Sequence, residues 1–465
     1  MASDDTAHAG ENHKALQFED PKLSESFSSQ STLAHATAHE LCQDSGWEAG
    51  FHLATAVDNA FILGYALLVM AFLGWAAGTV LFILGGAVTL YCNIKLANLC
   101  VINGKRYTRF RDISEAVFGR PAMWITVICQ WINIIAGNIG LTILGGQAFK
   151  GMHDLYNDNQ NIKLADWMIV TGACNGIFAL CIPHLHGLRL WSGIACGCTI
   201  VFVVIVVGIS AYDGNHFSEQ NPGEDRTYAV DGTSTADKAF DAMGALATIA
   251  FAYTTVITPE IQATVRDGKH GPAREFYKTL AVAYGIGAPV FLIMSLVGWW
   301  AYGDNVGSNL IANLSHPRWA KFIAYLCVLI QTIVSVQVYS SPLYETFDTH
   351  FGDIKQKTWS MRNFLNRLWY RPLYIAFTTF IAALLPFFGD FVALMGAITV
   401  FPLAFVLTLL MYNKVYRETI SPVEKMVNYF GAGLFSIITV ATATASLRYI
   451  IVDAQNYSVF ANLAP

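Results

Sequence analysis

The stretch Thr55-Ala56-Val57-Asp58-Asn59-Ala60-Phe61-Ile62-Leu63-Gly64-Tyr65 places an acid beside an amide in the middle of an apolar run from about 48 to 72. A run of ~20 apolar residues is long enough for a helix to cross the hydrocarbon core of a bilayer. A carboxylic acid at that depth costs ~2.5 to 3.5 kcal/mol on insertion scales, so it should face a cavity or another helix. We therefore expect a membrane helix with a polar site at its centre.

A second stretch has a similar character. Phe251-Ala252-Tyr253-Thr254-Thr255-Val256-Ile257-Thr258-Pro259-Glu260 combines three threonines, a proline and an acid. Proline removes a backbone donor and clashes with the preceding turn, which favours a broken helix near Thr254 to Thr258. A simple kink, with threonine hydroxyls bonded back to the helix, is the alternative for this stretch taken alone.

The rest of the chain repeats the apolar pattern. Hydrophobic residues make up 54% of the 465 residues and charged residues only 13%, against ~25% charged in soluble domains. Eleven apolar runs lie at about 48–72, 74–99, 121–149, 167–183, 189–211, 239–258, 278–302, 318–343, 372–390, 391–413 and 427–450. The ninth and tenth are separated only by a break at 385–390. The pattern predicts an all-α polytopic membrane protein with about eleven transmembrane helices.

Residues 1–46 differ from everything that follows. They are acidic, rich in Ser and Thr and poor in large apolar residues, which is typical of a disordered tail. We expect two parts: a disordered cytosolic tail at 1–46 and a transmembrane domain at 47–465. The first membrane helix is expected to act as the insertion signal, since the start of the chain does not resemble a cleaved secretory signal.

The placement of basic residues predicts the orientation. Cytoplasmic loops collect Lys and Arg, and most of these residues follow the second, fourth, sixth, eighth and tenth runs. The amino terminus is therefore expected in the cytosol and the carboxyl terminus outside. Two candidate glycosylation motifs, at Asn313 and Asn456, fall on the predicted outer side.

Several classes of protein are excluded. A net charge of −5 provides no overall basic field for nucleic-acid binding. The sequence contains no phosphate-binding Gly-x-x-x-x-Gly-Lys-Ser/Thr loop, no His-Glu-x-x-His and no nucleophile elbow. Its nine cysteines form no disulfide framework and no zinc spacing. We expect transport driven by an ion gradient rather than an enzyme, with no metal and no cofactor apart from a co-transported ion.

The two unusual stretches lie in the first and sixth runs, which are corresponding members of a five-plus-five inverted repeat. Helices broken at such positions expose amides that bind a carboxylate and carbonyls that bind a cation or an amine. Four further polar side chains lie on faces that could border a substrate path: Asn133 in the third run, Gln331 and Ser335 in the eighth, and Thr399 in the tenth. Interhelical hydrogen bonding is the alternative role for each of them.

The sequence resembles the amino acid/auxin permease family, and within it the plant proline transporters, from about Trp47 to Leu463. The motifs that carry the resemblance are Asn59-Ala60-Phe61-Ile62-Leu63-Gly64-Tyr65, Gly104-Lys105-Arg106-Tyr107 with Arg111-Asp112, Ile182-Pro183-His184-Leu185, Pro259-Glu260-Ile261-Gln262-Ala263-Thr264, Trp300-Ala301-Tyr302-Gly303, Ser341-Pro342-Leu343-Tyr344-Glu345 with Asp348-Thr349, and Leu385-Pro386-Phe387-Phe388-Gly389-Asp390-Phe391. Pro-Glu-Ile-Gln-Ala-Thr is the most specific of them.

The resemblance implies eleven helices in an inverted repeat of the LeuT kind, with proton-coupled uptake at the plasma membrane. It implies proline and related compatible solutes, such as glycine betaine and 4-aminobutyrate, as substrates, and a site between helices 1, 3, 6, 8 and 10. Two departures concern this site. Asp58 replaces an amide of the proline transporters, and Thr254-Thr255-Val256-Ile257 replaces an Asn-Thr-Gly-Met-like stretch.

These observations combine into one hypothesis for the site. The substrate carboxylate meets amides near Asn59, Gly64 and Tyr65, and the other end of the substrate meets Tyr253, Thr254 and Thr255. Asp58 is a candidate for substrate binding as well, and either Asp58 or Glu260 holds the coupled proton, because burial favours the neutral form of a carboxyl.

Several alternatives stay open. The chain is expected to be monomeric, with a small amino acid and the lipid bilayer as its partners. A broader neutral amino acid permease, sodium in place of the proton, and a sensor that does not transport remain possible, and radiolabelled uptake separates transport from sensing.

Overall fold

The computed structural model describes residues 32–33, 41–157, 162–220, 225–230, 234–268, 271–353, 356, 358–384 and 394–456. The described chain is nearly all helical. Its one small sheet joins β1 (Thr32–Leu33), β2 (Val101–Ile102) and β3 (Lys105–Arg106) in the order β1-β3-β2. The predicted break at 385–390 lies outside the described residues.

Each of the eleven predicted runs is helical in its described part, so the helices are numbered α1 to α11. Their bounds are α1 Gly46–Val57, continued by the 3-10 segment Ala60–Gly64 and the π segment Ala66–Ala71, α2 Phe72–Asn98, α3 Arg120–Asp154, α4 Leu164–Cys181, α5 Arg189–Asn215, α6 Thr235–Tyr253 with Thr258–Thr264, α7 Pro272–Tyr302, α8 Arg318–Phe351, α9 Met361–Leu384, α10 Gly396–Leu407 with Thr408–Val415, and α11 Pro422–Asn456. Short helices at Phe110–Phe118, Leu185–Leu188 and Leu310–Asn313 lie between them.

Nine helical stretches of the described chain are long and apolar enough to cross a membrane. Because the amino terminus is expected in the cytosol, Gly46–Val57 of α1 and Thr258–Thr264 of α6 are here called the inner halves of these helices, and the other parts their outer halves. The inner half of α1 falls short because it stops after 12 residues. The described part of α9 falls short because its first half carries Arg362, Arg367 and Arg371. The fold class is therefore the expected all-α polytopic membrane protein.

The backbone kinks at Gly74, two residues inside the α2 bounds and at the position where the second apolar run was expected to begin. Gly74 has φ 71° and ψ 179°, a non-helical conformation in an otherwise continuous stretch of helix. Glycine adopts a positive φ without the steric cost that a side chain brings. The chain therefore turns at Gly74, near the start of α2.

Large apolar side chains cover much of the outer surface. Trp124, Ile128, Ile177, Ile437 and Phe430 are each more than half exposed. A soluble protein rarely leaves large apolar patches open to water, whereas lipid solvates such side chains. Polar side chains, by contrast, are buried between the helices: α8 packs against α3 and α5, and α7 packs against the inner half of α1 and against α5.

Residues just ahead of the expected boundary at residue 46 pair with the end of α6. The Cys42 N–H donates to the Ala263 carbonyl at 3.1 Å, the Asp44 N–H donates to the Thr264 carbonyl at 2.8 Å, and the Arg266 N–H donates to the Asp44 carbonyl at 2.8 Å. Backbone pairing thus ties residues 42–44 to the end of α6, a contact that leaves no trace in the local composition. The boundary at 46/47 between the tail and the transmembrane domain stays a prediction.

Candidate functional site

The helix α1 breaks where the sequence places its acid and amide. Its inner half ends at Val57, and Asp58 has φ −87° and ψ 53°, outside the helical region. The Asn59 side chain closes the gap, since its Oδ1 accepts from the Phe61 N–H at 2.9 Å and its Nδ2 donates to the Ala56 carbonyl at 2.7 Å. Asn59 thus caps the outer segment, which includes the buried Gly64.

The helix α6 breaks at the predicted threonines. Its outer half ends at Tyr253, Thr254 is extended with φ −146° and ψ 163°, and the inner half starts at Thr258. Pro259 lies in the first turn of that inner half, where a missing N–H costs nothing. The Thr258 hydroxyl donates to the Thr255 carbonyl at 2.8 Å, and Gln130 Nε2 donates to the Val256 carbonyl at 3.1 Å. The break is therefore held by side chains of α6 and α3.

The two breaks lie next to each other. The Phe61 and Phe251 rings pack edge to face with centroids 5.1 Å apart. The Tyr339 side chain of α8 lies within hydrogen-bonding reach of both Asn59 and Thr255. The interruptions of the first and sixth helices thus form one polar region at the centre of the protein.

The predicted polar residues of α8 contact the α1 break. Gln331 Oε1 accepts from the Ala60 N–H at 3.2 Å, Gln331 Nε2 donates to Ser335 Oγ at 2.9 Å, and Ser335 Oγ donates to the Thr55 carbonyl at 2.9 Å. Backbone groups that a continuous helix would pair internally are therefore paired with side chains here. Such groups can exchange a side-chain partner for a ligand.

The predicted residues of α3 and α10 form a separate pair. Asn133 Nδ2 donates to Thr399 Oγ1 at 2.7 Å, and Thr399 Oγ1 donates to the Met395 carbonyl at 2.6 Å. Both side chains are buried, and Asn133 Oδ1 has no hydrogen-bond partner in the described part of the chain. The contact fits the interhelical role that the sequence left open, with one acceptor left over.

Aromatic rings form a wall beside the breaks. Tyr253 packs against Phe82 and Phe291 with centroids 5.6 and 5.1 Å apart, and Tyr65 packs against the same two rings at 6.0 and 5.6 Å. The Tyr65 hydroxyl has no hydrogen-bond partner among the described residues. Two of the predicted substrate residues, Tyr65 and Tyr253, therefore lie against the same aromatic wall of Phe82 and Phe291.

Asp58 is buried against α7. It is 2% exposed, and neither carboxyl oxygen has a hydrogen-bond partner in the part of the chain that the structure describes. Its backbone carbonyl accepts from Thr199 Oγ1 of α5 at 3.1 Å, while its side chain lies against Gly287. A Cβ on Gly287 would come within 2.0 Å of Asp58 Oδ1.

Glu260 occupies a different place. Its Oε1 accepts from the Phe110 N–H at 3.0 Å and from Gln130 Nε2 at 2.9 Å. It lines a cavity of about 30 Å³, together with Arg109, Thr264, Ser341 and Glu345. That volume holds one or two water molecules. Asp58 and Glu260 are thus not one acid pair, since one faces α7 and the other a cavity at the start of the inner half of α6.

A third buried carboxylate, Asp44, was expected in the tail. Its Oδ1 is hydrogen-bonded to His186 Nδ1, its Oδ2 lies 3.5 Å from His52 Nε2, and it is 0% exposed. Burial alone would raise the pKa of Asp44, but the contacts with His52, His186 and Thr264 outweigh it and hold the pKa below its usual value. Asp44 thereby fastens the start of α1 to the connection between α4 and α5.

Sequence reasoning missed several residues that position the site. Gly287, Thr199 and Tyr284 lie in runs where nothing marks them, whereas Asn93 could have been noticed as an amide within the second run. Asn93 Oδ1 accepts from Thr254 Oγ1 at 3.2 Å, and Tyr284 donates to the Tyr253 carbonyl at 2.9 Å. Both contacts hold the α6 break from the side of α2 and α7.

The side chain of Asn313, in one candidate glycosylation motif, makes hydrogen bonds within the loop before α8. Asn313 Nδ2 donates to the Asn305 carbonyl at 2.9 Å and its Oδ1 accepts from the Gly307 N–H at 2.9 Å. The motif at Asn456 lies outside the residues whose side chains the structure describes. Both stay predictions.

Comparison with known proteins agrees with this architecture. Residues 43–452 match the family described as transmembrane amino acid transporter protein. GABA transporter 1 of Arabidopsis thaliana is 30% identical over 435 residues, covering 90% of this chain and 93% of that protein. Lysine histidine transporter-like 1 of the same plant is 27% identical over 419 residues, covering 89% and 90%.

A solved structure shares the fold. A Na⁺-coupled sialic acid symporter in a substrate-bound outward-open state aligns with a TM-score of 0.51 and covers 95% of this chain and 96% of its own. The identity is 10%, so the likeness concerns the fold alone.

Proposed function

Because the chain belongs to the transmembrane amino acid transporter family, we propose that it imports proline and related compatible solutes across the plasma membrane together with a proton. The related solutes are glycine betaine and 4-aminobutyrate. The observation that carries the proposal is the pair of adjacent breaks in α1 and α6, which present backbone groups and hydroxyls at the centre of a membrane protein. The name of the relative GABA transporter 1 supports a small zwitterion as the substrate.

The coupled ion follows from the charge of the substrate. A zwitterion carries no net charge, so the membrane potential cannot concentrate it unless an ion travels with it. One co-transported charge gains about 2.3 kcal/mol per 100 mV, which supports roughly forty-fold accumulation at ~1.4 kcal/mol per decade. A single proton per substrate is therefore sufficient for uptake against a gradient.

The break in α1 offers a place for the substrate carboxylate. The Ala60 N–H donates to the amide oxygen of Gln331, which identifies it as a donor that a carboxylate oxygen can use. The positive end of the outer segment adds to the attraction. We assign the carboxylate to the backbone near Asn59, Gly64 and Tyr65.

The other end of the substrate is assigned to α6. Tyr253 packs against the same Phe82 and Phe291 rings as Tyr65 of α1, and Thr254 and Thr255 follow it in the α6 break. We assign Gln331 and Ser335, which contact the α1 break, and the Asn133–Thr399 pair of α3 and α10 to the same substrate path. Asp58 or Glu260 carries the proton.

The proposal also includes the orientation and the oligomeric state. The amino terminus lies in the cytosol, the carboxyl terminus lies outside, and the protein acts as a monomer.

Uptake in a host that lacks its own proline transport tests the proposal. Radiolabelled proline should accumulate faster at acidic external pH and independently of sodium. Excess betaine and 4-aminobutyrate should compete, whereas phenylalanine should not. Binding of proline without any uptake would favour a sensor, and a sodium requirement would reassign the ion.

A broader permease is the second candidate, because the relatives include lysine histidine transporter-like 1 and amino acid permease 6 of Arabidopsis thaliana. The same competition experiment separates the two candidates. Strong competition by bulky neutral amino acids would establish the broader range.

A further inference from the structure

The position of Asp58 carries an inference about where the coupled proton resides, and it rests on the proposed function. Asp58 does not point into open space between α1 and α6. Its Oδ1 fills the place that a Cβ of Gly287 would take, and its Cγ lies 2.9 Å from that position. The space left by Gly287 on the buried face of α7, here called the Gly287 notch, is thus occupied by the carboxyl group of Asp58.

Among the described residues, no ion pair and no hydrogen bond balances a charge on the Asp58 carboxyl. The ionisable side chains that interact with Asp58 include Tyr65 of α1, Tyr253 of α6, Tyr284 of α7 and Cys196 of α5. Each of these side chains is ordinarily uncharged at neutral pH. Because an unpaired buried carboxylate costs several kcal/mol, these surroundings favour the neutral carboxyl over the carboxylate.

The surroundings also limit where the side chain can go. Thr199 Oγ1 holds the Asp58 carbonyl at 3.1 Å, which fixes the backbone while leaving the carboxyl oxygens without hydrogen bonds among the described residues. Asp58 lies in the break of α1, outside helical geometry, so its side chain can leave the notch without unwinding a helical turn. We therefore expect the Asp58 side chain to move at the α1 break when its charge changes.

We propose that the Gly287 notch is the seat of the coupled proton: it holds protonated Asp58, and when the proton passes to water the carboxylate leaves the notch. Gly287 is then a positioning residue for coupling, because only glycine leaves room for the acid at this point of α7. Asp58 is assigned to the proton, and Glu260 is left with the cavity that it lines together with Arg109 and Glu345.

Purified protein in proteoliposomes tests the transport side of this proposal with radiolabelled proline as the probe. Gly287→Ala expels the carboxyl and should lower the accumulation ratio from about forty-fold to about one at a 100 mV potential. Exchange of proline at equal concentrations without a gradient should continue. Gly285→Ala is the matched control, because a Cβ on Gly285 meets no atom within 4 Å.

Asp58→Asn provides a second test, which does not depend on correct folding of the Gly287→Ala protein. The amide has the size of the protonated acid and fits the same notch, so the variant should exchange proline, fail to accumulate it and lose the dependence of uptake on external pH. Accumulation by Asp58→Asn equal to that of the unaltered protein overturns the proposal. The same holds if folded Gly287→Ala behaves like Gly285→Ala.

A stability cycle tests the notch without any transport. Gly287→Ala should lower the Tm, Asp58→Ala in the Gly287→Ala background should restore it, and Gly285→Ala should leave it unchanged. If the unaltered protein neither exchanges nor accumulates proline but the cycle gives this pattern, proline is not the substrate. The result then still supports the occupation of the Gly287 notch by Asp58. If proline is accumulated but the two substitutions add independently in the cycle, the notch fails and the proposed function stands.

Discussion

Asp44 and Asp58 lie at the two ends of the inner half of α1, and both carboxyl groups are buried, but their surroundings are opposite. Asp44 is hydrogen-bonded to His186 and lies 3.5 Å from His52, and its backbone pairs with the end of α6. Asp58 has no hydrogen-bond partner for either carboxyl oxygen within the described chain. A helix of 12 residues thus separates an acid with two histidine contacts from an acid whose carboxyl oxygens have no hydrogen-bond partner among the described residues.

The difference teaches what burial of an acid means in this protein. A buried carboxylate with histidine partners keeps its negative charge and holds segments of the structure together. Removing one partner leaves the others uncompensated. A buried carboxyl without partners is stable only with its proton. Asp44 is therefore expected to govern stability, and Asp58 to govern the coupling of transport to an ion.

The largest effect is expected at the paired end. Asp44→Ala leaves His52 and His186 without their acid and should lower the free energy of unfolding by about 3 kcal/mol, near the lower end for a broken buried pair. Thermal unfolding in detergent measures the change. Glu418→Ala removes an exposed acid whose side chain lies 3.9 Å from Arg417, and it is the control that should stay near the original stability. Equal Tm values for the two variants would contradict the role of Asp44.

The next effect separates the two acids by function. In Asp58→Asn the accumulation of proline should fall from about forty-fold to about one at 100 mV, a loss of about 2 kcal/mol of coupling. In Asp44→Asn the accumulation per folded molecule should stay high while the amount of folded protein falls. Measuring both ratios against surface expression distinguishes the cases, and the reverse pattern would break the comparison.

A smaller effect is expected at the start of α1. Ser45 and Glu48 form a capping box, with Ser45 Oγ accepting from the Glu48 N–H at 3.3 Å and Glu48 Oε2 accepting from the Ser45 N–H at 2.8 Å. Ser45→Ala should cost ~1 kcal/mol. Ser45→Asp keeps an acceptor at the cap and should restore most of the Tm. A full loss of stability in Ser45→Asp would show that the hydroxyl has another role.

The smallest effect appears only in acid. Because the pKa of Asp44 is lowered in the folded protein, its contribution to stability is present above the usual value of 3.8 and is lost as the pH falls through the lowered value. The Tm difference between the unaltered protein and Asp44→Asn should be constant above about pH 5 and shrink below about pH 4. A Tm difference that grows as the pH falls would contradict the lowered pKa assigned to Asp44.

The sequence predicts those features whose cause is local. Pro259 and the threonines before it disfavour a continuous helix over a few residues, and the break in α6 lies there. The acid and amide at Asp58 and Asn59 are costly in lipid wherever the rest of the chain goes, so a polar centre in α1 was predictable. The second apolar run was expected to begin at about residue 74, and the backbone turns at Gly74.

Features that depend on approach in space were not predictable. Gly287 is one of 37 glycines, and only the position of Asp58 gives it a meaning. Asp44 follows many other acids in an acidic segment, and its contacts are with His52 in the helix that follows and with His186 far along the chain. The packing of residues 42–44 was not predictable for the same reason, because hydrogen bonds to Ala263 and Thr264 have no signal in composition.

The pairing of residues 42–44 with the end of α6 has a mechanical consequence. Residues 42–44, just ahead of α1, are joined to the end of α6 through their backbones, while the Thr279 hydroxyl of α7 donates to the Gly46 carbonyl at 2.9 Å. We therefore expect the inner halves of α1 and α6 to be displaced together if either of them moves.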